Sequence, residues 1–308
     1  MACATFFVTI LFMRVPLCLT VLIFCAWTVV GTEPANTETV PENNIKAVET
    51  IIDNIPQPTA DTVSPQAADN KTAFVLKKDE SISTNAVMLL RFADRARGNL
   101  DGIRWNVTIN TTENGRQIES SYDVRARGYN VLAEQTAPRK NKGSLMLVNQ
   151  GNMWFYKPGI SKPVPISRRQ RLTGSVSNGD IATTNYAEDY DATFLPEEEV
   201  EGELCYMLNL QAKPKHDCTY DRIVLAISKE RIVGIKADYY TISGKLFKSS
   251  TMQYDHTIPA EDNGRWPFVS KILFTSAIAT EEAASLTFSA PELVAIPAGI
   301  FDVNRLAR

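Results

Sequence analysis

Ile103-Arg104-Trp105-Asn106-Val107-Thr108-Ile109-Asn110 is a run in which every second residue is apolar. Asn114-Gly115 follows, and then Ile118-Glu119-Ser120-Ser121-Tyr122-Asp123-Val124-Arg125-Ala126, in which the alternation resumes. A period of two sends successive side chains to opposite faces of a pleated strand. Asn-Gly supplies the positive φ that a tight hairpin turn needs. The segment therefore predicts an antiparallel hairpin with one apolar and one polar face.

Working outward, the same pattern predicts strands over 129–135, 143–149, 152–157, 202–212, 220–228, 231–240, 246–254, 269–275 and 284–288. Most are separated by short polar or Gly/Pro-bearing turns, too short for parallel crossovers, so the sheet is antiparallel, a sandwich or a barrel. Upstream, Ala86, Leu89, Leu90, Ala93 and Ala96 recur at helical spacing, and Gly98 stands where a C-cap is wanted. This predicts a helix over 84–97. One long interruption remains, an insert over 158–196. It carries Arg168, Arg169 and Arg171, a Ser/Gly/Asn stretch over 173–180 and an acidic-aromatic run ending at Tyr190. An insert of this length in a sheet protein reads as a lid or binding loop.

The N-terminus is of another kind. Across residues 1–31 the only charged side chain is Arg14, and 15–30 is apolar apart from Thr20 and Thr28. A charged start, an apolar run and the small-residue exit Val29-Val30-Gly31 describe a secretory signal, with Met13-Arg14 as the better start. The alternative is an uncleaved anchor, since such a run can span a bilayer. Lipidation at Cys25 is disfavoured by bulky Phe24 and by the apolar residues that follow. Residues 32–80, rich in Pro, Thr, Asn, Asp and Glu, read as a flexible tether, leaving 81–308 as the folded domain.

The chain has 308 residues and a net charge of −3, which argues against nucleic acid as a partner. Two histidines, His216 and His256, give little material for metal or acid–base chemistry, and no cofactor or metal site is expected. Gly174-Ser175-Val176-Ser177-Asn178-Gly179 is one residue too long for a serine-nucleophile elbow and reads as a loop. Glu197, Glu198, Glu199 and Glu201 read as a solvated strand edge. No enzymatic activity is expected. Of five cysteines, Cys205 and Cys218 lie outside the signal. An even pair in an oxidising compartment is read as a disulfide across the turn at 213–216, the alternative being two free thiols.

An ordered set of pieces carries a resemblance. It begins with the helix ending Ala93-Asp94-Arg95-Ala96-Arg97-Gly98 and continues through Asn152-Met153-Trp154-Phe155-Tyr156-Lys157-Pro158-Gly159 and Ile166-Ser167-Arg168-Arg169. It ends with Tyr186-Ala187-Glu188-Asp189-Tyr190, Tyr220-Asp221-Arg222-Ile223-Val224-Leu225 and Lys236-Ala237-Asp238-Tyr239-Tyr240. In order and spacing this resembles the LolA/LolB-like outer membrane lipoprotein-sorting family of periplasmic lipoprotein carriers. The resemblance implies a mainly β fold: an incomplete antiparallel β-barrel, a curved sheet with a few short helices packed on or in it. It also implies an apolar cavity that holds acyl chains.

The strand reading supplies candidates for that cavity: Trp105, Val107, Tyr122, Val124, Trp154, Tyr156, Tyr206 and Leu208. The alternative is a filled core, and taken singly each reads more readily as core than as cavity lining. The function expected is a monomeric periplasmic carrier for lipoprotein or lipid cargo, exchanging it with inner- and outer-membrane transfer partners. The alternative is a membrane-tethered module of the cell envelope that docks a protein partner.

Overall fold

In the computed structural model of the protein, the alternating run becomes β1 (Asp101–Glu113) paired with β2 (Arg116–Arg127). The structure describes residues 85–307 apart from 114, 183, 215, 261–262 and 278–282. The signal, the tether and Asn114 of the hairpin turn lie outside the described residues. Trp105 stands opposite Val124 and Val107 opposite Tyr122, so the apolar residues share one face as the pattern requires.

From β2 the chain meanders outward through β3 (Asn130–Ala137), β4 (Leu145–Asn149) and β5 (Asn152–Tyr156) to the short β6 (Val164–Ile166), one edge of the sheet. Residues 167–189 hold β7 (Arg171–Thr173), β8 (Val176–Ser177), α2 (Asn178–Ala182) and α3 (Tyr186–Asp189). The chain then restarts at the opposite edge with β9 (Tyr190–Val200). It returns inward through β10 (Glu203–Ala212), β11 (Arg222–Ser228), β12 (Gly234–Tyr240) and β13 (Leu246–Gln253). A separate hairpin, β14 (His256–Pro259) and β15 (Arg265–Phe268), precedes β16 (Lys271–Ser276) and β17 (Ala283–Leu293). β17 pairs with β1, joining the two halves into one antiparallel sheet of thirteen strands among the described residues. The sheet is curved but not closed into a barrel, because its edges β6 and β9 do not pair with each other.

β6 and β9 correct the expected limits of the insert, which runs over 167–189 and not 158–196. Pro196 concealed β9, yet an edge strand tolerates a residue with no N–H to give. Glu197, Glu198 and Glu199 are exposed on it, charge that discourages pairing with another chain.

Helix α1 (Ala86–Arg95) fills the concave side. Asn85 caps it, its side-chain oxygen accepting from Val87 and Met88 N–H. Leu89, Leu90 and Ala93 are buried against Trp105, Val107 and Ile109 in one large core. The chain leaves the helix through Gly98 at φ +105°, and a Cβ there would stand 2.8 Å from the Trp105 ring. Glycine is required at that point both by the backbone and by the ring. A second apolar cluster lies elsewhere: Ile296, Phe301 and Leu306 of the C-terminal tail cover Leu132 and Leu147.

The disulfide does not form; both cysteines are free and buried. Cys205 lies opposite Ser228 at the start of β10, in a cluster with Met207, Ala226 and Val233. Cys218 follows the far end of that strand, its thiol on the Asp189 carbonyl at 3.1 Å. Seven strand residues from Cys205 to Ala212 span about 23 Å at ~3.3 Å each. A disulfide requires Cα atoms within about 7 Å.

Candidate functional site

Residues 167–189 connect the two unpaired edges of the sheet across its concave side. Their apolar residues Val176, Ile181, Ala182, Tyr186 and Ala187 belong to the same core as α1 and the sheet. That core also holds charges, and two buried ion pairs and one buried carboxyl fasten the insert.

Arg168 and Asp189 are both fully buried. The guanidinium donates from both terminal nitrogens to the Asp189 carboxylate, at 2.7 and 3.1 Å, the two-pronged geometry that suits arginine. Its Nε donates to the Asp217 carbonyl at 2.5 Å. Asp189 also accepts from the Tyr129 hydroxyl, and His216 Nδ1 lies 3.3 Å away. Gly151 leaves room for this, since a Cβ there would meet the Tyr129 oxygen at 2.9 Å.

Lys248 on β13 reaches Asp180 on α2 at 2.8 Å and donates to the Ser175 carbonyl at 2.9 Å. Tyr220 donates its hydroxyl to the same carboxylate. The Phe274 and Tyr220 rings stand 4.0 and 4.9 Å from the ammonium, which their faces attract. Burial lowers the Lys248 pKa, with Asp180 opposing the shift.

On α1, Asp94 accepts from the Ala187 N–H at 2.9 Å. Burial pushes its carboxyl up to about 7, against the pull of Arg97 at 3.8 Å. Arg97 in turn lies over the Tyr186 ring at 3.9 Å. Together these contacts tie the insert to itself, to β13 and to α1.

Beside this fastening lies a cavity of about 220 Å³ between the concave face and the insert. Its floor is Tyr122, Gln135, Ser144, Met146 and Phe155, on β2 to β5. Its roof is Ile166, Gln170, Arg171, Leu172 and Asn178. A crevice of about 30 Å³ at the end of α1, beside Arg231 and Trp266, has room only for water.

Of the residues expected to line a cavity, Tyr122 does so. Trp105, Val107, Val124 and Leu208 are fully buried in the packed core. Tyr206 is buried at the β9 side of that core, its ring edge-on to Phe194 at 6.3 Å. Trp154 and Tyr156 are corrected: both belong to the opposite face, packed under the C-terminal tail. The concave residues of β5 are Met153 and Phe155, one position out of phase with the expectation. Met146, Gln135 and Ser144 were missed, although their strand parity places them with Ala133 and Val148. Among the described residues no group of His, Cys, Asp and Glu could hold a metal ion.

The arrangement defines a class: an open antiparallel barrel whose concave side is plugged by α1 and by an insert roofing a cavity. A family model described as that of an uncharacterized protein matches residues 129–308. A LolA superfamily protein of Nitrosomonas europaea is 30% identical, with TM-score 0.64, covering 70% of this chain and 97% of its own. An outer membrane lipoprotein-sorting protein domain of Vibrio parahaemolyticus is 15% identical, with TM-score 0.61, covering 72% of this chain and 98% of its own. A DUF1329 family protein of Desulfovibrio piger is 20% identical, with TM-score 0.59, covering 72% and 97%. No curated protein matches the chain. The chain belongs to the LolA superfamily.

Proposed function

We propose that the protein is an extracytoplasmic carrier that holds the acyl chains of lipoproteins or other lipids and performs no bond chemistry. The reading places it in the periplasm, delivered by residues 1–31, receiving cargo at the inner membrane and yielding it at the outer. The name of the Vibrio parahaemolyticus relative, an outer membrane lipoprotein-sorting domain, supports this.

The observation that carries the reading is the cavity and the identity of its two sides. A void of about 150 Å³ takes a benzene-sized ligand, and ordinary ligand pockets begin near 300 Å³. At about 220 Å³ the cavity therefore accepts part of an acyl chain. Its roof comes from the end of β6 and the insert, so displacing the insert enlarges it without breaking a strand pair of the sheet's interior. Opening releases buried charges to water, where they are rehydrated and not stranded. Each acyl CH₂ taken out of water is worth about 0.8 kcal/mol, so a handful of them offset a cost of several kcal/mol.

The test is displacement of a fluorescent fatty-acyl probe from the full-length chain and from Met146→Trp, which fills the floor. Wild type is expected to bind the probe and the variant to bind at least tenfold more weakly. Equal affinity for the two proteins places binding elsewhere.

A further inference from the structure

The cavity floor is not uniformly apolar. Tyr122 on β2 is the cross-strand partner of Gln135 on β3, and the Gln135 N–H donates to the Ser144 carbonyl at 2.8 Å. The three side chains thus form a row across the sheet, 3%, 7% and 4% exposed. Each lines the cavity, and among the described residues none of the three side chains has a hydrogen-bond partner. Two tyrosine hydroxyls deeper in this core are paired with protein: Tyr190 with the Tyr220 carbonyl at 3.1 Å, Tyr239 with Ser250 at 2.9 Å. Desolvation alone pushes the Tyr122 hydroxyl up to about 12, with no hydrogen bond acting on it. The polar atoms of the three side chains face the cavity and pair with no protein group among the described residues, so the floor offers three neutral hydrogen-bonding side chains in one row to a polar ligand group.

We propose that Tyr122, Gln135 and Ser144 form a polar subsite for the ester or amide link of an acylated ligand, whose tail lies against Met146, Phe155 and Leu172. This rests on the carrier reading and gives the ligand a chemical class. Tyrosine hydroxyl, glutamine amide and serine hydroxyl donate to an acyl carbonyl. The glutamine oxygen and serine hydroxyl accept from an amide N–H. All three groups are neutral, so an ester or amide is satisfied there, whereas a buried carboxylate lacks a compensating charge on the floor. Arg171 contributes its charge from the roof, where it is exposed.

The test measures competition by short ligands matched to the cavity volume, using the full-length chain and the variants Tyr122→Phe, Gln135→Leu and Ser144→Ala. The competitors are methyl octanoate, octanoate and decane. Wild type is expected to bind methyl octanoate at least tenfold more tightly than octanoate or decane. Each variant is expected to lose about 3- to 10-fold in ester affinity, a hydrogen bond's worth, while its decane affinity stays unchanged. Cooperative thermal unfolding with midpoints close to wild type shows that the variants fold. Ester, acid and alkane binding alike in wild type, or ester affinity unmoved in all three variants, overturns the subsite and leaves the carrier reading standing. No binding of any of the three defeats both.

Discussion

Asp189 is shut off from water, yet its carboxylate is ringed by Arg168, Tyr129 and His216. Such a pair stabilises little relative to an apolar replacement, but removing one partner strands the other charge. Arg168→Ala is therefore expected to cost about 3–5 kcal/mol in chemical denaturation. Arg169→Ala, which breaks a part-exposed pair with Asp221, serves as the control at about 1 kcal/mol or less. Equal effects for the two arginines contradict the distinction. Asp94 makes a pH-dependent contribution of definite sign. Its folded pKa of about 7 stands above the ordinary 3.8, so the folded state holds the proton more tightly. The associated stability is full below pH 4 and is lost as pH rises toward 7, by at most about 1.4 kcal/mol per pH unit. Denaturation across pH 4–8 should show wild type losing stability relative to Asp94→Asn, which keeps the uncharged form at every pH, as pH rises toward 7. Parallel profiles contradict a raised Asp94. None of these pairings was legible in the sequence, where Arg168 is one of three arginines in a loop. Lys248 left a fainter signal: it alternates with Ser250 and Met252 on the buried face of a strand.

At the scale of elements, periodicity was a good guide where one face is buried and the other wet. β1, β2 and α1 stand close to where their apolar spacing places them, and Gly98 ends the helical segment as expected. Gly98→Ala should cost about 1–3 kcal/mol, because it meets a positive φ and the Trp105 ring together. A denaturation midpoint equal to wild type contradicts the close packing of that ring. Periodicity failed where both faces are covered. β5 has apolar residues on both sides, and the C-terminal tail that covers Trp154 and Tyr156 is 140 residues further along the chain. A run such as Met153-Trp154-Phe155-Tyr156 has no phase to read. β9 failed for the opposite reason, since an exposed edge with Pro196 and a string of glutamates lacks the alternation of a strand. The disulfide failed on register: the spacing of Cys205 and Cys218 is short, but a whole strand separates them.

At the scale of the whole molecule, an open sheet has two edges to manage and a concave side to fill. Here residues 167–189 do both, joining the edges and closing the concavity over a cavity of about 220 Å³. The fold class was legible from the alternating strands and short turns. The cavity was legible only through Tyr122, because burial of a side chain and exposure to a cavity look alike in sequence. The roof is held both by ionic contacts and by Val176, Ile181, Ala182, Tyr186 and Ala187, which sit in the shared core. Water can receive the charges when the roof lifts, and an entering acyl chain covers the apolar side chains that water would leave costly to expose. Native mass spectrometry of the full-length chain, purified gently and without detergent exchange, tests this most directly. The expected result is a population carrying one acylated molecule per chain, removed by organic extraction and restored by added lipid. Protein that emerges lipid-free and takes up no added acyl chain contradicts it.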